Sequence, residues 1–315
     1  MSPSIVSIGE LLVEIMREKV GEPFDRPGTF VGPFPSGAPA IFADAAGRLG
    51  EKSGMIGTVG EDDFGKLILE RLKKDGVDTT YIQTLKGFTT GVAFVTYFPD
   101  GSRKFIYHLP HAASGKISSE QINEKYLSEV KYLHIMGSSL SINEDYRNAC
   151  YKAAHIVKNS GGKVSLDPNL RPELLSIEEI RKICEPILSI SDVIMPSGEE
   201  ATMLTGAEDV ESACMKLLEY GPKIVALKQG KEGCTVFTKK EKIKVSSFKV
   251  KEVDPTGAGD CFDAGFLVGL LKKGWELPKV AKFANAVGAL SVTKKGPMEG
   301  APTYKEVSNL LKEAF

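Results

Sequence analysis

The sequence carries no surplus of charge of either sign: 40 lysines and arginines stand against 41 aspartates and glutamates in 315 residues. Without a positive excess there is little to neutralise a phosphate backbone, so nucleic acid is not an expected partner. Cysteine is scarce and unpaired in pattern. Cys150, Cys184, Cys214, Cys234 and Cys261 are odd in number, widely spaced and never C-x-x-C, which argues against a disulfide frame or a zinc site and for a reducing compartment. Long apolar runs are missing as well. No segment approaches membrane-spanning length, and the start, Met-Ser-Pro-Ser into Ile5-Val6-Ser7-Ile8, lacks the basic opening and long apolar core of a signal peptide. A cytoplasmic protein is expected, away from the membrane. Linkers, repeats and low-complexity tracts are absent too, so one domain over residues 1–315 is simpler than two.

What the chain does have is a rhythm. Short apolar segments, clearest at Tyr132 to Met136, Lys163 to Leu166, Asp192 to Met195 and Lys223 to Leu227, read as buried strands. Amphipathic segments at Asn143 to Lys158, Ile177 to Leu188 and Val210 to Glu219 lie between them and read as helices. That alternation predicts an α/β fold with a mostly parallel central sheet flanked by helices. Two stretches, Leu11 to Phe34 and Gly87 to His108, break it. In the second, Thr90 to Tyr97 and Lys104 to Tyr107 flank the turn Pro99-Asp100-Gly101-Ser102 like a hairpin, so the pair predicts a small β-lid from discontinuous segments, about 11–34 and 87–110. Helices are expected again from about Ala258, Pro278 and Thr303.

The chemistry concentrates in Asp254-Pro255-Thr256-Gly257-Ala258-Gly259-Asp260, between strand-like Lys249 to Val253 and an apolar helix, Cys261 to Leu271. Small residues at a helix N-terminus let backbone N–H groups approach a phosphate, and the helix dipole adds partial positive charge there. An aspartate one residue later is placed to take the proton of an attacking hydroxyl while the amides stabilise the transferred phosphoryl group. The bland alternative is a tight strand-to-helix turn whose acid complements the dipole. Other nucleotide motifs do not fit. There is no G-x-x-x-x-G-K-[ST], Phe262 stands where a dinucleotide fingerprint needs its third glycine, and Asp63-Phe64-Gly65 lacks a protein-kinase catalytic loop to accompany it.

Asp254 to Phe266 closely resembles the C-terminal signature of the ribokinase-like (pfkB-type) carbohydrate kinases, and the likeness runs through the chain. Ile8-Gly9-Glu10, Ser36-Gly37-Ala38-Pro39-Ala40, Gly57 to Gly65 and Asp167-Pro168-Asn169-Leu170-Arg171 follow in the family's order. The resemblance implies an ATP- and Mg²⁺-dependent sugar kinase in which Asp260 is the general base and the amides of Gly257, Ala258 and Gly259 form the anion hole. It makes Glu200 the acid that supports Mg²⁺, although Ser197 stands where the family's N-x-x-E motif has asparagine. It sets Lys228, Gly230 and Gly233 beside the nucleotide and Asn285 in the helix bordering the adenine.

At the sugar end the resemblance points to Glu14, Ser36, Gly37, Leu109, His111 and Arg171. Glu14 falls where many relatives carry an aspartate for substrate hydroxyls. Ile41 replaces a sugar-contacting asparagine, which argues against ribose-type recognition. Leu109 occupies the place of a second arginine in ketodeoxygluconate kinases, which weakens a keto-acid reading. The runs Val31 to Phe42 and His111-Ala112-Ala113 look similar to the tagatose-kinase branch, so the expected substrate is a free ketohexose, tagatose or fructose, phosphorylated on a primary hydroxyl. The alternatives are a keto-sugar acid such as ketodeoxygluconate and, in another class, a non-catalytic sugar-binding regulator. Relatives often clasp two lids across a twofold, so a homodimer through the lid is expected.

Overall fold

A computed structural model of the chain describes residues 2–100, 102–170, 172 and 175–313. The main sheet has nine strands: β1 (Ile5–Ile8), β4 (Ser53–Gly60), β5 (Val77–Leu85), β8 (Tyr132–Met136), β9 (Lys163–Asp167), β10 (Val193–Ile194), β11 (Ile224–Lys228), β12 (Cys234–Phe237) and β13 (Lys242–Val245). Their spatial order is β13-β12-β11-β10-β9-β8-β1-β4-β5, parallel except where β12 pairs antiparallel with β11 and β13. The remaining strands, β2 (Leu12–Arg17), β3 (Phe30–Ser36), β6 (Gly91–Tyr97) and β7 (Arg103–His108), form a separate sheet in the order β3-β2-β6-β7.

Both faces of a parallel sheet are covered, so its strands can be apolar on both sides. β1 shows the consequence: Ile5 packs into one core with Phe42, Phe266 and Phe283, whereas Val6 and Ile8 pack into the other with Tyr146, Ile183 and Leu217. Helices Ala38–Arg48, Asp63–Lys74, Ala258–Leu271 and Leu277–Ser291 supply the first core, and Glu144–Asn159, Ile177–Leu188 and Val210–Glu219 the second. Caps set several of these starts. Asn143 accepts from the Tyr146 amide, and Ser176 and Glu179 form a capping box.

Two sequence readings need correction. Lys249 to Val253 is not a strand: the sheet already ends at β13, and this run of alternating lysines stays exposed, with Val253 held by one backbone bond from its N–H to Val292 O at 2.7 Å. The strand expected over Asp192 to Met195 is regular only at Val193–Ile194, although the Asp192 and Met195 amides still donate to Val164 O and Leu166 O, at 2.7 and 2.9 Å. The turn at Gly101 lies outside the described residues, although β6 and β7 flank it as an antiparallel pair.

Candidate active site

The carboxyl ends of the parallel strands and the inner face of the small sheet enclose one cavity of about 310 Å³. Its floor is built by residues at or just beyond strand ends: Glu10 after β1, Ser138 after β8, Asp167 closing β9 and Lys228 closing β11. Ligands of open α/β sheets bind at this edge because the strands end there and the loops diverge. Leu12, Glu14, Ala93, Phe105 and Tyr107, alternate residues of three lid strands, form the roof.

One end of the cavity is made of backbone. Gly257 caps helix Ala258–Leu271 in the left-handed region, at φ 77°, and a Cβ there would lie 2.7 Å from Pro297 O and 3.0 Å from Ile41 Cγ2. Only glycine fits. The Ala258 amide donates to Pro255 O at 3.3 Å, whereas the Gly257 and Gly259 amides make no backbone hydrogen bond among the described residues. Asp260, in the helix's first turn, lines the cavity and is 7% exposed. Asp254 holds the turn from behind, accepting from Thr256 N at 3.0 Å, Gly296 N at 2.9 Å and the Tyr97 hydroxyl of the lid at 3.0 Å.

The other end is made of side chains. Glu14 is 3% exposed and accepts from Ser36 Oγ at 3.0 Å, and its Oε1 has no partner among the described residues. Burial, with Asp254 and Asp260 nearby, pushes its carboxyl up to about 7 against the opposing pull of the Ser36 hydroxyl and Arg103. Gly37 caps helix Ala38–Arg48, and Leu109 and Ile41 complete an apolar wall. Glu10 is buried too, and its two carboxylate oxygens accept from the Ser138 and Ser139 hydroxyls at 2.8 and 2.6 Å.

Glu200 lines the cavity between these ends. Its carboxylate is aimed by backbone donors, Ser197 N at 2.8 Å and Leu170 N at 3.0 Å, so Ser197 serves here as a helix cap. Beside it Asn169 adopts φ 39°, unusual for a non-glycine residue, and its Oδ1 is buried without a hydrogen-bond partner among the described residues. Lys228 is no solvated surface lysine: its Nζ meets Asp167 Oδ2 at 2.7 Å and Asp263 Oδ2 at 3.1 Å.

Not every expected site residue converges on the cavity. Gly230 and Gly233 bracket the turn between β11 and β12, where a Cβ on Gly233 would lie 2.1 Å from Val245 O. Asn285 spends its amide on Val245 O and Ser246 O, at 2.9 and 3.2 Å. These three brace the wall next to Lys228 rather than line the cavity. His111 is exposed and outside the cavity, because the chain dives after it into the buried turn Ala113–Gly115. Arg171 lies outside the described residues.

The sequence of this chain matches the model of the pfkB family of carbohydrate kinases over residues 2–304. The protein belongs to that family. It is 36% identical over 317 residues to a probable fructokinase-3 of Arabidopsis thaliana, covering 98% of this chain and 91% of that one. Among solved structures, an E. coli ribokinase II candidate in complex with ATP and Mg²⁺ superposes with a TM-score of 0.92 at 43% identity, covering 99% of each chain. The fructokinase of Vibrio cholerae, solved with fructose, ADP and calcium, superposes with a TM-score of 0.85 at 28% identity, covering 99% of this chain and 100% of that one.

Several cavity residues of this pfkB kinase carry no mark in the sequence. Arg103, Phe105 and Tyr107 sit in β7, and only its alternation hints that one face looks inward. Asn169 lies in the run Asp167 to Arg171, yet its left-handed backbone is a tertiary fact. The Tyr97–Asp254 bond spans 157 residues of sequence and joins the lid to the glycine turn.

Proposed function

We propose that this kinase transfers the γ-phosphoryl group of ATP to a primary hydroxyl of a free ketohexose of the fructose or tagatose type. The observation that carries the reading is the pairing, in one cavity, of Asp260 and the open amides of Gly257 and Gly259 at one end with the buried Glu14–Ser36 pair at the other. The sugar lies between them. Glu14 accepts from its hydroxyls, and Leu109 and Ile41 pack against its carbon face, which suits a neutral sugar. Asp260 takes the proton of the attacking hydroxyl while the two amides stabilise charge on the phosphoryl oxygens. The lid excludes water, and its Tyr97 contact to Asp254 ties closure to the catalytic turn.

Mg²⁺ fits this site as a companion of the nucleotide. Glu200 and Asn169 Oδ1, which has no partner among the described residues, offer hard oxygen donors, directly or through water, and the phosphates complete such a shell. When bound, the ion neutralises phosphate charge. Lys228 has two of its donors committed to carboxylates, which leaves it a weaker phosphate ligand than an open lysine.

A keto-sugar acid is the second reading, favoured by Arg103. Its guanidinium lines the cavity over the Phe105 ring and makes no hydrogen bond or ion pair among the described residues. ADP release measured over fructose, tagatose and ketodeoxygluconate decides between them, and a preference for the acid by kcat/KM overturns the ketohexose assignment. The reading further includes a homodimer through the lid, supported by its two edge strands and by the exposed Phe30 and Ile106. A monomer by sedimentation at micromolar concentration refutes that part. Five buried, free cysteines support the cytoplasm as its location, and among the described residues no helix is long and apolar enough to cross a membrane.

A further inference from the structure

Behind the glycine turn lies a cluster of ionisable side chains that the chemistry above does not use. Asp167, Asp263 and His134 are at most 1% exposed, and the Lys228 stem reaches down to them from the cavity wall. Its ammonium binds Asp167 and Asp263, and His134 Nε2 stands 3.9 Å from the same Asp263 oxygen. The histidine is otherwise fixed, with its ring stacked 4.0 Å from Phe42 and its Nδ1 sharing a 2.8 Å hydrogen bond with Ser165 Oγ. Taking this many charged groups out of water is costly, and apolar replacements of buried ion pairs are often as stable. Stability alone is a poor reason for them.

Their placement suggests another. Asp263 follows Asp260 by three residues on one helix, so the two side chains share a face. Asp167 ends β9 and Lys228 ends β11, so a single ammonium joins two strand ends to the beginning of the helix that carries the base. It also lies against the turn: a Cβ on Gly259 would be 3.5 Å from Lys228 Nζ. Burial holds the Asp263 carboxyl well above its usual range, while Lys228 and neighbouring hydrogen bonds outweigh burial at Asp167 and hold it below. The opposed directions at the two acids leave the ammonium bridging both, so the cluster ties the helix to both strand ends.

We propose that Asp263 is a positioning residue: through Lys228 it clasps the first turns of helix Ala258–Leu271 to β9 and β11, and thereby fixes where Asp260 meets the substrate hydroxyl. The proposal rests on the reading of Asp260 as the base. The experiment is steady-state kinetics of Asp263→Leu, Asp260→Asn and the double variant in the full-length protein, with thermal unfolding as the control for folding. Asp263→Leu leaves the Lys228–Asp167 pair intact, so the chain should fold. It is expected to lower kcat at least about tenfold with sugar KM changed less than about threefold, since Glu14 and Ser36 hold the sugar from other elements. Asp263→Asn, which keeps an acceptor oxygen for Lys228, should recover most of that loss.

The double variant separates positioning from general damage. If Asp263 acts through Asp260, adding Asp263→Leu to Asp260→Asn changes the residual rate by less than about twofold. Equal losses in both backgrounds, or wild-type kcat in Asp263→Leu, overturn the proposal. Near wild-type turnover in Asp260→Asn alone overturns the reading of the base instead. If Asp263→Leu does not fold, Lys228→Met breaks the clasp from its other side and carries the same double-variant comparison.

Discussion

The two ends of the cavity are built by different means. The end proposed to hold the phosphoryl group is a stretch of seven residues, Asp254 to Asp260, that presents backbone amides and one carboxylate at a helix start tied to Lys228 through Asp263. The end proposed to hold the sugar takes single side chains from β2, β3, β7 and the helix beginning at Ala38, brought together only by the fold. A reaction common to many substrates can be served by a fixed backbone cradle, because every acceptor presents the same hydroxyl and phosphate. Discrimination between sugars needs side chains that can change one at a time, and the lid supplies them.

The largest effect should come from the phosphoryl end. Asp260→Asn is expected to lower kcat by at least about two orders of magnitude while ATP and sugar binding, read by calorimetry, stay within about threefold. Binding lost along with turnover would blur the division between the ends. Gly257→Val forces a side chain into the left-handed region against Pro297 O, at a cost of roughly 1–3 kcal/mol in stability. Because the strain falls on the anion hole, kcat should drop at least about tenfold with little change in sugar KM. A normal kcat would show that the turn is not the cradle.

The sugar end should answer differently. Glu14→Gln is expected to raise sugar KM about tenfold with a smaller change in kcat, and to flatten the pH dependence. In the wild type kcat/KM should rise with pH through about 7, as the Glu14 carboxyl ionises in the free enzyme. The same group makes a stability prediction. Its folded value of about 7 lies above the reference 4.5, so the folded state holds the proton longer. The stability this confers is present below 4.5 and lost as pH rises through about 7. Above that, Glu14→Gln should be more stable than wild type by up to about 3 kcal/mol, and the gain should vanish at pH 4, as checked by denaturant unfolding. His111→Ala should have the smallest effect, with sugar KM changed less than about twofold, since the side chain is exposed outside the cavity.

How much of this was legible in sequence follows the same division. The helices at Ile177–Leu188 and Val210–Glu219 and the strand Tyr132–Met136 were readable to the residue, because apolar period and cap chemistry are local signals. Lys249 to Val253 misled, since alternation cannot tell whether a neighbouring strand exists to pair with. The resemblance sets Lys228 beside the nucleotide, but its commitment to Asp167 and Asp263 depends on residues 61 and 35 positions away.

By itself, then, the sequence determined the α/β plan, the glycine turn and the residue proposed as the base, because apolar periodicity and the glycine-rich run are signals carried by neighbouring residues. Tertiary structure decided which side chains line the cavity, that Glu14 is buried enough for its carboxyl to be pushed up to about 7, and that the helix carrying Asp260 is tied from behind by an ammonium between two buried acids. Burial and long-range pairing are properties of the packed chain, and no local pattern can carry them.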